Sequence, residues 1–126
     1  MSEAASRQVS PALERAYQFL AWLVLTLDKF PRRQKFLLGD RIESTALDVL
    51  EGLVEATYTR NRGRMLEAVN LKLDKLRFLF RLSAELQLLD QRRYEHAARG
   101  IDEIGRLVGG WIRANRIDPS RSCVQR

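Results

Sequence analysis

Residues 69–89 read "VNLKLDKLRFLFRLSAELQLL". Val69, Leu73, Leu76, Phe80 and Ser83 recur there at four-three spacing, the pattern of one buried line on an α-helix. The same segment carries a second line. Leu71, Phe78, Leu82 and Leu89 fall within about 40° of one another at 100° per residue, nearly opposite the first. A helix with two apolar lines has to be covered on two sides, so this segment predicts a helical bundle with something further packed on its outside.

The flanking segments repeat the first pattern. Pro31 opens a helix where proline's missing N–H costs nothing, and Ile42, Ala46, Val49, Leu53 and Ala56 mark its core line to about Thr59. "RNRGR" at 60–64 supplies the turn into the next helix, with Gly63 free to take positive φ. Further upstream, Ser10 and Pro11 form a cap and first-turn pair for a helix over 11–29, whose core seam reads Leu13, Tyr17, Leu20, Val24 and Leu27. Trp22, Leu23 and Leu25 lie outside that seam. Downstream, Asp90 caps a last helix with an inner face of Tyr94, Ala98, Ile101, Gly105, Val108 and Ile112. Gly105 and Gly109 open one side of it, for a close helix approach or a ligand gap.

No stretch alternates with period two. The fold class is therefore all-α, and the short connections favour an antiparallel up-down-up-down four-helix bundle over residues 1–114. Residues 115–126 have no apolar period and read as a basic flexible C-terminal tail. The second stripe points to a homo-oligomer with Trp22, Leu71, Phe78, Leu82 and Trp111 at its interface; burial of one helix on several sides, or cover from a terminal segment, is the other reading.

Composition narrows the function classes. The chain is 45% hydrophobic and 30% charged with three prolines, which suits one helical globular domain. Cys123 is the single cysteine, so no internal disulfide can form, in keeping with a reducing cytoplasm. The longest apolar run, "FLAWLVLTL" at 19–27, is about half of what a membrane span needs, and with Glu3, Glu14 and Arg15 before it no signal peptide is expected. A cytoplasmic protein is expected. His96 is the only histidine and faces away from the core line, the carboxylates are scattered among basic neighbours, and "GRLVGGW" lacks the Lys-Ser/Thr ending of a phosphate loop. Neither a catalytic constellation nor a metal or cofactor site is expected, so an enzyme is disfavoured.

Charge is the remaining signal. The net charge is +6, and 18 of the 22 basic residues are arginine, whose planar fork suits phosphate and carboxylate. Residues 29–41, 60–64 and 103–126 hold the excess, which implies a polyanion or an acidic protein surface as partner. Arg32, Arg33 and Lys35 crowd a helix start whose dipole is already positive, a small folding cost that makes a ready anion site. Arg60, Arg62 and Arg64 have no acid nearby in sequence before Glu67 and read as the clearest positive patch. Arg77 and Arg81 stand one turn apart, flanked by Asp74 and Glu85, either as an ion-pair strip or as a joint grip on one anion. Arg92, Arg99, Arg106 and Arg113 recur every seven residues. Glu95, Asp102 and Glu103 stand at pairing distance from the first three, while Arg113 has no such neighbour, and Arg116 adds to the charge beyond it.

With these residues laid out, the chain resembles the accessory variability determinant (Avd) family of diversity-generating retroelements. That family is a branch of the small four-helix-bundle proteins that includes those encoded in bacterial 23S rRNA intervening sequences. "FPRRQKFLLGDRI" (30–42), "LDKLRFLFRLSAELQLL" (73–89) and "YEHAARGIDEIGRLVGGWIR" (94–113) carry the likeness, which spans the chain except its termini. The tryptophan after paired glycines in "EIGRLVGGWI" is its most specific element. The resemblance implies a non-enzymatic homopentamer with a positive surface that binds RNA, with DNA as a second nucleic acid. It also implies association with the retroelement's reverse transcriptase, in support of mutagenic copying of a template RNA and retrohoming. Leu76, Arg77, Phe78 and Arg81 match the family's Leu-Arg-Phe-x-x-Arg element, which marks Arg77 and Arg81 as partner contacts. An intervening-sequence-type relative acting as a protein–protein adaptor is the alternative.

Overall fold

A computed structural model describes residues 9–117. Among these, four helices and no strand are present. Ser10 is extended and its hydroxyl accepts the Leu13 N–H at 3.1 Å, with Pro11 at the first helical position, so α1 runs Pro11–Leu27. The next helix starts as Arg32–Gln34, widens into a π-helical turn over Lys35–Gly39 and continues as Asp40–Tyr58; the three segments together are α2. In the wide turn the Asp40 N–H reaches back five residues to the Lys35 carbonyl. Helix α3 is Arg62–Glu85 and α4 is Gln91–Ile117.

Helix α1 packs on α2 and α4, α2 on α3, and α3 on α4, which closes a four-helix bundle. Its core holds the predicted lines of α2 and α3 without exception, from Ile42 to Ala56 and from Val69 to Ser83. Ser83 belongs there because its hydroxyl donates to the Leu79 carbonyl at 2.9 Å, and Thr26 does the same to Trp22 at 3.0 Å. No buried side-chain N or O atom among the described residues lacks a partner.

Helix α1 is rotated from its predicted seam by about one residue, or 100°, which keeps Leu20 and Leu27 of that seam buried and Leu13 half-buried. Ala12, Ala16, Phe19 and Leu23 face the core, whereas Tyr17, at 62% exposure, and Val24 stand in solvent. Leu23, expected outside, is 1% exposed. The cause is a ring seated on a glycine. Phe19 packs so closely on α4 that a Cβ at Gly100 would lie 2.6 Å from its Cε1, and the ring meets Phe80 edge-on at 6.1 Å. Helix α4 turns with it: Ala97, Gly100, Ile101, Ile104, Val108 and Ile112 are buried, and Tyr94, Ala98 and Gly105 only half so. The closest approach on α4 is thus made at Gly100; at Gly105 a Cβ would lie 3.1 Å from Arg77 Nη2 of α3, and at Gly109 it would meet only the Arg113 guanidinium at 3.6 Å.

Two turns also differ from the sequence reading. Gly63 does not take positive φ; it lies in the first turn of α3, where a Cβ would come within 3.3 Å of Asn115 on α4. The one residue with positive φ among those described is Gln87, at 62°. It ends α3: Gln87 N–H donates to Ala84 O at 3.0 Å and Leu88 N–H to Ser83 O at 2.8 Å, the paired bonds that usually place glycine there. The turn brings Leu89 into the core, so Leu89 leaves the outer stripe to which its spacing assigned it. Gln87→Gly is expected to stabilise the fold by about 1 kcal/mol, the steric cost of a left-handed side-chain residue, read as a rise in the chemical-denaturation midpoint. At the far end α4 runs past residue 114, with Asn115 buried; residues 118–126 of the expected tail lie outside the described residues.

Candidate nucleic-acid interface

The most regular charge array lies along α4. Seven residues advance a helix by about 10.5 Å and return nearly to the same face, so Arg92, Arg99, Arg106 and Arg113 form a ladder roughly 32 Å long. All four are exposed. The carboxylates that stand beside them in sequence point elsewhere. Glu103 accepts Arg15 Nη2 of α1 at 2.9 Å, Asp102 accepts Arg77 of α3 at 3.3 Å, and Glu95 accepts the Gln91 amide at 2.9 Å. The four ladder arginines consequently have no ion pair among the described residues. Helical spacing offers the first three rungs an acid within the helix, and intrahelical pairing is one reading of them. The tertiary contacts direct Asp102 and Glu103 to α3 and α1 instead.

Those two diversions have different strengths. Arg15 is mostly covered, and its hydrogen bond and charge, with smaller help from Arg106 and Arg99, hold the Glu103 carboxyl below its ordinary value. A carboxyl lowered by folding contributes stability above its unfolded value and loses it as pH falls through the folded one. The melting temperature is therefore expected to fall on acidification below the ordinary glutamate range, and Glu103→Gln to lower it at neutral pH while flattening that acid limb. Arg77 bridges α3 and α4: Nη1 lies 2.5 Å from Asp74 Oδ1 and Nη2 3.3 Å from Asp102 Oδ1, and the guanidinium lies across Gly105. It is a helix tie as placed, whereas Arg81, with a 3.5 Å pair to Glu85 one turn on, remains open to solvent.

The other expected cations divide similarly. Lys35 reaches back to Asp28 at 2.6 Å, which pulls the Asp28 carboxyl below its usual range and takes one charge from the proposed anion site at the start of α2. Arg32 lies over the Phe36 ring at 6.0 Å, and Arg33 is exposed. Arg62 donates to the Thr59 carbonyl at 3.2 Å and sits 6.0 Å from the Trp111 ring, so the loop cluster keeps Arg60 and Arg64 as its outward charges. Arg116 lies on α4, 3.6 Å from Glu67, and not in a tail.

Of the apolar residues assigned to an interface, Leu71, Phe78 and Leu82 are exposed, Phe78 at 69%. Phe78, Leu79 and Leu82 line a groove of about 670 Å³ between α2 and α3, edged by Arg41, Lys72 and Lys75. Trp22 and Trp111 are half-buried within the chain, Trp22 between Phe19 at 5.6 Å and His96 at 4.3 Å.

Among the described residues no helix is long and apolar enough to cross a membrane, and no three or more His, Cys, Asp or Glu side chains gather as for a metal ion. No curated protein matches the chain. A family model described as bAvd-like matches residues 12–115, from the first turn of α1 to the buried Asn115, and so takes in the whole bundle and every rung of the ladder. The protein belongs to the bAvd-like family, an Avd-like group of accessory, non-catalytic proteins.

Proposed function

We propose that this protein is the nucleic-acid-binding accessory subunit of a diversity-generating retroelement. In this reading antiparallel up-down-up-down bundles assemble into a homopentamer in the cytoplasm, associate with the reverse transcriptase and hold its template RNA during mutagenic copying and retrohoming. The observation that carries the reading is the ladder on α4, whose arginines make no ion pair among the described residues. Four exposed guanidiniums on one face neutralise phosphates in a largely sequence-independent way, because no groove-reading module accompanies them among the described residues. Arg81 and the outward Arg60 and Arg64 extend the charge, and family likeness supports Arg77 and Arg81 as contacts to the transcriptase. Co-purification with the reverse transcriptase tests the assignment: capture that depends on RNA and is lost with the ladder supports it, and the absence of any capture contradicts it.

The Phe78–Leu82 groove favours a second contact, self-association. Its exposed apolar side chains would be covered in an oligomer at about 25 cal/mol per Å². Phe78→Asp with Leu82→Asp is expected to shift the sedimentation coefficient to that of the monomer with its helical circular dichroism intact. An oligomer unchanged by both substitutions would place the interface elsewhere. Transcriptase binding that persists after nuclease treatment favours the adaptor reading, in which arginines meet an acidic protein surface.

A further inference from the structure

We propose that the groove between α1 and α4, lined by Trp22, Asp90, Arg92, Arg93, His96 and Arg99, holds a terminal phosphate monoester of a nucleic-acid strand. The groove encloses about 430 Å³, enough for one nucleotide. Its one acid is already consumed. Asp90 Oδ1 accepts the Arg93 N–H at 2.8 Å and Oδ2 accepts Arg93 Nη1 at 2.7 Å, so Arg93 and Asp90 neutralise each other. Glu95, which lies between the other two arginines in sequence, is engaged by Gln91. Arg92 and Arg99 make no ion pair among the described residues, and with His96 they fall at i, i+4 and i+7 on one stripe of α4.

That charge selects the ligand. A phosphate monoester carries about −1.5 to −2 at neutral pH and offers three strong acceptor oxygens, whereas an internal phosphodiester carries a single charge. Two guanidinium forks can hold the former bidentately. Trp22 forms the floor, with its ring centroid 5.6 Å from that of Phe19 and 4.3 Å from that of His96. Position then says which phosphate reaches it. Arg92 is the last rung of the ladder at the start of α4, one residue inside the helix, so a strand lying along Arg113, Arg106 and Arg99 brings its end to the groove. The inference rests on the ladder's role in nucleic-acid binding proposed above.

Full-length protein and a short single-stranded RNA made with a 5′ phosphate, a 3′ phosphate or neither provide the test. One phosphorylated form is expected to bind about tenfold more tightly than the unphosphorylated strand. Arg92→Ala with Arg99→Ala should reduce that ratio to about one, while Arg106→Ala with Arg113→Ala should weaken all three strands alike and keep the ratio. Equal wild-type affinities for the three strands, or a preference that survives Arg92→Ala with Arg99→Ala, would overturn the inference and leave the ladder standing; failure of all three to bind would overturn both. AMP separates a strand end from a free nucleotide. Followed through Trp22 fluorescence in Trp111→Phe protein, which has no other tryptophan, AMP is expected to bind at least tenfold more weakly than the phosphorylated strand. AMP binding as tight as the strand would overturn the assignment to a strand end.

Discussion

Replacing Arg92, Arg99, Arg106 and Arg113 together with alanine is expected to weaken binding to single-stranded RNA about 10³-fold at roughly 0.1 M salt. The figure follows from counterion release, which gives about 0.7 decade per neutralised phosphate on a single strand at that salt, over four contacts. It is large because all four rungs are exposed and make no ion pair among the described residues, so no guanidinium there has to leave a direct carboxylate contact to reach a phosphate. Arg77→Ala makes the informative contrast. Its guanidinium is held by Asp74 and Asp102, and its removal is expected to cost up to about 1 kcal/mol of stability at this half-exposed site. By freeing Asp102 beside the ladder, it should also weaken RNA binding slightly. The ladder variant should show the reverse pattern, with a large loss of affinity and a nearly unchanged melting temperature.

Gly100→Ala is expected to destabilise the bundle by about 2–3 kcal/mol, even though alanine is the better helix former by roughly 1 kcal/mol. For a domain of this size that is a fall of about 10 °C in melting temperature. The added methyl would meet the Phe19 ring well inside van der Waals contact, and Phe19 cannot swing away because Trp22 and Phe80 pack against it. Phe19→Leu in the same chain should recover part of the loss by vacating that space. Gly109→Ala nine residues on is the matched control: its Cβ would meet only the flexible Arg113 side chain, and the substitution is expected to be neutral or stabilising.

The same glycine explains where the sequence could and could not be read. On α2 and α3 the polar residues between apolar ones leave one consistent core line each, and the predicted residues are the buried ones. On α1 the run from Phe19 to Leu27 is apolar nearly all round, so two adjacent seams satisfy the spacing equally. What selects between them is a contact with Gly100, some eighty residues away, which no local pattern reports. The pairing of the ladder was hidden for the same reason: Arg15 and Glu103 are 88 positions apart and Arg77 and Asp102 are 25 apart, whereas helical spacing suggests partners three or four away. Caps were readable because their chemistry is local, as Ser10 and Asp90 show; the left-handed Gln87 and the π-turn at Lys35–Gly39 were not, because neither carries the residues that such backbones usually select.

The dependence of RNA affinity on salt tests the central claim most directly. On a plot of log Kd against log salt concentration, the wild-type slope is expected to exceed that of the four-arginine variant by about 3, the counterions released by four phosphate contacts on a single strand. Equal slopes for the two proteins, or a wild-type affinity that does not change with salt, would contradict an RNA-binding role for the α4 ladder.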